Sequence, residues 1–156
     1  MIRKIISGGQ TGADRAALDF AIGRRIPHGG WLPKGRKTED GPLDAKYQLR
    51  EMPTGEYARR TEQNVLDADG TVIVSHGRLT GGSALTREFA ERHAKPWLHL
   101  DLKELACGEA AAMLASWIAT QQVKTLNVAG PKAGKDPAIY EATLRLLNRT
   151  FMEDQT

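Results

Sequence analysis

The sequence predicts an α/β protein with a mainly parallel, five-stranded sheet, because short apolar runs alternate with amphipathic stretches along the chain. The five candidate strands lie at residues 4–7, 30–32, 71–75, 97–100 and 125–129. The first, third and fifth of them are continuously apolar or β-branched. Strands of that composition are typical of a parallel sheet that is buried on both faces.

Helical stretches separate the candidate strands. Apolar residues recur at helical spacing within residues 17–22, 85–90, 113–118 and 139–151, so each of these stretches carries one apolar stripe. A polar helix is predicted at 59–67. A helix that joins two parallel strands of one sheet crosses over in the right-handed sense. We therefore predict a single three-layer, Rossmann-like domain over residues 1–156.

The segment 33–59 interrupts this alternation. It contains the turn-forming sequences PKG, DGP and MPTG and no long apolar stripe, so we interpret it as a long loop with room for a short helix. Loops of this length in compact domains often act as lids over a binding site. A surface excursion without a function is the alternative interpretation.

Composition excludes several classes of function. The chain has 156 residues, of which 40% are hydrophobic and 26% charged, and its formal net charge is +3. Basic residues are interspersed with acidic ones, whereas nucleic-acid binding usually needs a clustered basic face. No apolar run approaches the roughly 20 residues that span a bilayer, and the lone Cys107 rules out an internal disulfide. We expect a cytoplasmic protein that binds neither nucleic acid nor membranes.

Glycine-rich turns follow three of the strands and precede helices. They are SGGQTGAD at 7–14, SHGRLTGGSALT at 75–86 and AGPKAGKDP at 129–137. Because the carboxyl ends of parallel strands share one edge of the sheet, we expect the three turns to lie together there. The free N–H groups and the dipole at the start of a helix favour a bound anion. The sequence therefore predicts a site for a small anionic ligand at this edge.

Two common explanations of such turns do not fit. The first turn reads SGGQTG, which lacks the first glycine of the dinucleotide fingerprint, and Pro-Lys at 33–34 stands where an acidic residue would bind a ribose. In the turn at 130–136 the glycines are one residue too close for a P-loop, and Asp136 replaces the hydroxyl that binds Mg²⁺. The four histidines show no zinc-binding spacing, so no metal site is predicted.

Polar side chains at two of the helix starts have two interpretations each. Thr11 and Asp14 either cap the first helix and complement its dipole, or contact a ligand. Ser83 and Thr86 divide in the same way at the second turn. The sequence alone does not choose between a cap and a ligand contact.

Four further side chains are candidates for contact with the ligand by charge, by stacking or through an imidazole. Lys132 and Lys135 either neutralise an anion or remain solvated. Trp31 follows two glycines and is a candidate for stacking on a base or a pterin ring. His76 is the one histidine on a predicted ligand-facing turn.

Several blocks of the chain resemble the putative molybdenum carrier family, a circularly permuted, YpsA-like branch of the Rossmann-like SLOG superfamily. These blocks include GGQTGADRAALDFA, GGWLPKGRKTEDG, RTEQNVLDADGTVIVS, LTGGSALT, KPWLHLDL and NVAGPK. The resemblance runs from about Ile5 to Leu147. It implies a nucleotide-derived or other phosphorylated ligand, with molybdenum cofactor or molybdate as candidate cargo, and a homo-oligomer such as a dimer or tetramer. It also implies that strand 125–129, which comes first in unpermuted relatives, completes the sheet from the end of the chain.

Other members of that superfamily are phosphoribohydrolases, which cleave nucleoside monophosphates with an arginine and a glutamate near a GGxGTxxE turn. The resemblance implies that Arg60 and Glu88 would be this pair here. The turn GGSALTRE keeps both glycines and the glutamate, but Ala84 and Leu85 replace a glycine and a threonine. Ala84 adds a Cβ where the backbone would approach phosphate, and Leu85 removes a hydroxyl. These departures argue against the reaction and leave the backbone donors for phosphate intact.

Three functions are consistent with these observations. We favour a carrier-like binding protein that requires no reaction, with Lys34 or Arg36 of the long loop contacting the charge of the ligand. The alternatives are an N-glycosidase that uses Arg60 and Glu88, and a regulatory or structural oligomer with a vestigial site. The predicted ligand-binding residues are Gly8, Gly9, Gln10, Thr11, Gly12, Asp14, Trp31, Lys34, Arg36, Gly81, Gly82, Ser83, Thr86, Gly130, Pro131, Lys132 and Lys135.

Overall fold

The central element of the structure, a computed structural model that describes residues 2–152, is a five-stranded parallel sheet. The strands are β1 (Lys4–Ile6), β2 (His28–Gly29), β3 (Trp31–Leu32), β4 (Arg50–Glu51), β5 (Gly70–Ser75), β6 (Trp97–Asp101) and β7 (Thr125–Ala129). The helices are α1 (Ala13–Gly23), α2 (Tyr57–Asp67), α3 (Gly81–Arg92), α4 (Cys107–Gln121) and α5 (Ile139–Thr150). The sheet order is β2-β1-β7-β5-β6, and β3 pairs with β4 separately.

The last strand along the chain, β7, lies at the centre of the sheet. It pairs in parallel with β1 on one side, where Ile5 is aligned with Leu126, and with β5 on the other, where Thr71 is aligned with Asn127. All six residues of β5 are buried, as its apolar composition predicted. A strand from the C-terminal part of the chain thus completes the sheet, as the permutation implied.

Helices cover both faces of the sheet. On one face α1 and α4 both pack against α5, and apolar side chains such as Ala17, Leu114 and Leu147 join those of the strands in the larger core. On the other face α2 packs against α3, where Val65 and Phe89 are buried together. The predicted three-layer, Rossmann-like arrangement is confirmed. None of the helices within residues 2–152 has the length and apolar character needed to cross a membrane.

The second strand differs from the prediction at 30–32. The strand that joins the main sheet is β2, in which His28 pairs with Ile5 of β1. Gly30 then adopts a φ of +125°, a backbone conformation that turns the chain away from the sheet. The following residues, Trp31 and Leu32, pair instead with β4. An apolar pattern alone did not reveal that the strand is divided at this glycine.

The segment between β3 and α2 is folded onto the domain rather than extended into solvent. Leu43, Tyr47 and Leu49 are buried against Leu18 of α1. The guanidinium of Arg36 donates to four backbone carbonyl oxygens of the same segment, those of residues 43, 44, 47 and 49. The long loop predicted from its turn sequences is therefore packed against the domain and held together by its own hydrogen bonds.

Candidate functional site

A cavity of about 360 Å³ opens at the carboxyl edge of the sheet, where β1, β7 and β5 end side by side. Each of the three glycine-rich turns contributes to its wall, through Gly8, Gly82 and Gly130, and α2 contributes Arg60. Ligands of open α/β sheets bind in this position because the chain connections diverge there and leave a crevice. The structure thus brings the three predicted turns together at one site.

Most of the predicted ligand-binding residues line this cavity. They are Gly8, Gln10, Asp14, Gly82, Ser83, Thr86, Gly130, Pro131, Lys132 and Lys135. Arg60 lines it as well. Their contact with a ligand stays a prediction, although the structure gives them one common space.

The remaining predicted residues lie outside the cavity wall; they are Gly9, Thr11, Gly12, Trp31, Lys34, Arg36, Gly81 and Glu88. Trp31 donates from Nε1 to Asp67 Oδ2 at 2.7 Å, which holds the ring against α2. The Lys34 side chain is exposed, and Arg36 is occupied by the backbone carbonyls of its own loop. Glu88 is exposed on α3, so the structure does not bring it together with Arg60.

A buried ion pair forms one wall of the cavity. Asp14 Oδ2 lies 3.4 Å from Arg60 Nη1, and the two side chains are 7% and 11% exposed. Asp14 Oδ2 also accepts a hydrogen bond from the Gln10 N–H at 3.3 Å. The Nε of Arg60 is buried and has no hydrogen-bond partner within residues 2–152. The guanidinium is therefore incompletely paired.

Burial dominates the electrostatics of this pair. It raises the pKa of Asp14 from 3.8 to about 6, although the Arg60 charge opposes the shift. Burial also lowers the pKa of Arg60, with Asp14 opposing that shift. Both shifts follow from the cost of holding a charge away from water. The cavity therefore contains a carboxyl group that changes charge near neutral pH.

The raised pKa of Asp14 predicts a specific dependence of stability on pH. Because the folded state binds this proton more tightly than the unfolded chain, the contribution is complete below about pH 4 and is lost as pH rises through about 6. Between pH 5.0 and 7.5 the loss should be about 1 kcal/mol in the free energy of unfolding. Urea unfolding at both pH values measures it. In Asp14→Asn this part of the pH dependence should disappear; an unchanged pH dependence in that variant would show that Asp14 is not the titrating group.

The N-terminus of α3 faces the same cavity. Within residues 2–152 its N-cap residue, Thr80, makes no side-chain capping hydrogen bond, so the first N–H groups of the helix are not satisfied by a cap there. Ser83 on the first turn is 8% exposed, and both Ser83 and Lys135 line the cavity. Backbone donors, a hydroxyl and an ammonium group thus converge at one end of the cavity.

Sequence reasoning missed Glu39, which also lines the cavity. Its carboxylate accepts hydrogen bonds from the Thr11 hydroxyl at 2.6 Å and from the Gly134 N–H at 2.8 Å, and it lies 3.9 Å from Lys132 Nζ. The Thr11 hydrogen bond is the main reason that the pKa of Glu39 is lowered. A carboxylate of the long loop thus binds the third glycine-rich turn, and no local pattern signals a contact across so many residues.

Two other residues of the cavity wall, Asn127 and Tyr57, were not predicted from the sequence. Asn127 lies on β7, is 3% exposed, and donates from its amide to the Thr71 hydroxyl at 3.2 Å. Its carbonyl oxygen has no hydrogen-bond partner in the described part of the chain. A polar residue inside the apolar run TLNVA was the available signal for Asn127. Tyr57 begins α2, and its ring lies under the Arg60 guanidinium, 5.6 Å from Cζ.

Within residues 2–152, no group of three or more His, Cys, Asp or Glu side chains is placed to hold a metal ion. The cavity instead offers hydrogen-bond donors, cations and a few acceptors. This set of groups suits a small molecule that carries an anionic group at one end.

Comparisons with known proteins agree with the observed fold and identify a family and a solved structure to which the chain is similar. The model of the circularly permutated YpsA SLOG family matches residues 5–151. A crystal structure of a "Putative molybdenum carrier protein" from Syntrophus aciditrophicus SB superposes with a TM-score of 0.96 at 59% sequence identity. The alignment covers 96% of this chain and 95% of that one. Among curated proteins, no significant match was found.

Proposed function

Because this chain belongs to the circularly permuted YpsA family of SLOG proteins, we propose that it is a carrier-like protein that binds a small phosphorylated, nucleotide-derived ligand in the cavity at the sheet edge. The observation that carries the proposal is the convergence of donors around the uncapped N-terminus of α3. A helix N-terminus with nearby hydroxyl and ammonium groups suits a phosphoryl group.

The rest of the cavity suits the neutral part of a nucleotide. The Asn127 carbonyl oxygen is an acceptor on the cavity wall, and Leu85 and Val128 supply apolar surface. Arg60 and Asp14 provide a donor and an acceptor that a base or a ribose hydroxyl can meet. A polar end and a mixed, partly apolar end together match a nucleoside phosphate better than a free inorganic anion.

Molybdenum cargo is compatible with the same chemistry. The solved relative is described as a putative molybdenum carrier protein. Molybdate is a tetrahedral oxyanion, and molybdenum cofactor carries a phosphoryl group, so either would use the donors that we assign to phosphate. Homo-oligomerisation and a cytoplasmic location stay predictions.

The glycosidase alternative has less support from the geometry. It needs a carboxylate beside the ligand together with Arg60, whereas Glu88 is exposed and outside the cavity wall. Among residues 2–152, the carboxyl groups that line the cavity are those of Asp14 and Glu39, and Glu39 accepts hydrogen bonds from Thr11 and Gly134. We therefore propose binding without a reaction.

The proposal predicts ligand-dependent stabilisation. The protein is titrated by calorimetry and thermal unfolding with AMP, ADP-ribose, NAD, cyclic nucleotides, molybdate and molybdenum cofactor. A ligand at 100 times its Kd should stabilise the folded state by about 2.7 kcal/mol and raise Tm by several degrees. No stabilisation by any of these compounds at millimolar concentration would contradict the proposal.

Variants connect such binding to the cavity. Lys135→Gln should weaken the binding of a phosphorylated ligand about tenfold, because one charge-assisted hydrogen bond is lost. Lys34→Gln is the matched control, since Lys34 is an exposed lysine outside the cavity. Equal effects of the two substitutions would indicate general electrostatics rather than a site at α3.

A further inference from the structure

A second cavity of about 300 Å³ adjoins the first. It lies between the turn that follows β5 and the turn that follows β7, and it shares Thr80, Ser83, Pro131 and Lys135 with the first cavity. Because the two cavities have these walls in common, they lie side by side at the N-terminus of α3.

We propose that the second cavity is a subsite for a second phosphoryl group, so that the protein prefers a nucleoside diphosphate, or an ester of one, to a nucleoside monophosphate. This inference rests on the proposed function, since it places the first phosphoryl group at the N-terminus of α3. It assigns a role to His76, which lines the second cavity but not the first.

His76 is held in one orientation by a carboxylate. Its Nδ1 lies 2.7 Å from Asp136 Oδ2, and the other oxygen of Asp136 accepts a hydrogen bond from the Ala138 N–H at 3.1 Å. Both oxygens of Asp136 are therefore engaged, and the fixed imidazole keeps Nε2 for another partner. When both ring nitrogens carry a proton, Nδ1 donates to Asp136 and Nε2 can donate to a phosphoryl oxygen.

The charges around the second cavity favour an anion. Arg78 and Lys135 line it, and neither forms an ion pair within residues 2–152. Among the described residues, Asp136 is the one acidic residue of this wall, and its carboxylate is already paired with His76. Unpaired cations therefore exceed unpaired anions here, as binding of a phosphoryl group requires.

Ser83 lies at the junction of the two cavities. The residue lines both of them and is 8% exposed. The neighbouring Thr86 hydroxyl donates to the Gly82 carbonyl at 2.9 Å, whereas the Ser83 hydroxyl has no hydrogen-bond partner in the described part of the chain. This hydroxyl is therefore free to donate a hydrogen bond to a ligand at the junction. Its position suits the oxygen that bridges two phosphoryl groups.

Titration calorimetry with inorganic phosphate and pyrophosphate tests the subsite without knowledge of the base, in the presence of EDTA to exclude metal complexes. The wild-type protein should bind pyrophosphate about tenfold or more tightly than phosphate. AMP and ADP should show the same ratio. In His76→Gln the preference for pyrophosphate and ADP should be lost, while the affinities for phosphate and AMP remain unchanged.

His93→Gln is the matched control, because His93 also pairs with a carboxylate, that of Glu62 at 2.8 Å, but lies outside both cavities. It should keep the preference for pyrophosphate. If the wild-type protein binds phosphate and AMP but prefers neither pyrophosphate nor ADP, the subsite is wrong and the proposed function stands. If His76→Gln weakens all four compounds equally, the subsite is also wrong. Binding of none of the four would overturn both the subsite and the proposed phosphate site.

Discussion

Replacement of Gly30 by alanine is expected to lower the free energy of unfolding by about 3 to 5 kcal/mol. Gly30 has a φ of +125°, where a side chain strains the backbone. A Cβ at this position would also overlap the Ser7 carbonyl oxygen and lie 3.0 Å from the Ser7 nitrogen. Both atoms belong to the backbone at the end of β1, so neither can move without disturbing the sheet beside the site.

Gly41→Ala is a control that has the backbone strain of a positive φ but lacks the steric overlap expected at Gly30. Gly41 has a φ of +103°, but a Cβ there would have no heavy atom of residues 2–152 within 4 Å. It should therefore cost only about 1 to 2 kcal/mol, from strain alone. Urea or thermal unfolding measures both variants, and Gly30→Ala should lower Tm by about 10 °C. A Gly30→Ala protein no less stable than Gly41→Ala would show that Ser7 and Gly30 are not in close contact.

Gly8→Ala is expected to weaken ligand binding by about 10- to 100-fold and to change stability much less. A Cβ on Gly8 would overlap Arg60 Nη1 and lie 2.9 Å from Asp14 Oδ2. Because the guanidinium is the end of a flexible side chain, it is the group that should move. The substitution therefore displaces the cavity cation without placing an atom against the backbone.

A double-mutant cycle tests whether Gly8→Ala weakens binding by displacing the Arg60 guanidinium. Arg60→Met should weaken binding to a similar extent, and the double variant should be no weaker than Arg60→Met alone. Displacing the guanidinium should also raise the pKa of Asp14 further, since the Arg60 charge lowers it. Gly55→Ala is the control, because a Cβ at Gly55 would meet no heavy atom of the described residues within 4 Å. Additive losses in the double variant would mean that Gly8 acts on the ligand directly.

The parallel sheet and the meeting of the three glycine-rich turns could be predicted because both depend on local patterns. Continuous apolar runs indicate strands that are covered on both faces. The topology of parallel strands then requires their carboxyl ends to share an edge. Ser83, Lys132 and Lys135 were placed near the cavity for the same reason, since each stands on a turn that follows a strand.

Contacts between distant segments could not be predicted in this way. Local periodicity does not show that the second strand is divided at Gly30. It also does not show which distant residues meet, such as Glu39 with Thr11 and Gly134, or His76 with Asp136. The resemblance to phosphoribohydrolases implied that Glu88 would act together with Arg60. In the structure, however, Glu88 lies on the exposed side of α3. Which side chains of an element face the site depends on how that element packs.

The local pattern of the chain therefore predicted the architecture and the edge of the sheet at which the cavity lies. Tertiary packing decided the chemistry at that edge. It buried Asp14 beside an incompletely paired Arg60, which raised the pKa of the carboxyl to about 6. Strand and turn propensities act over a few neighbouring residues, whereas desolvation and charge depend on every segment that surrounds a group in space.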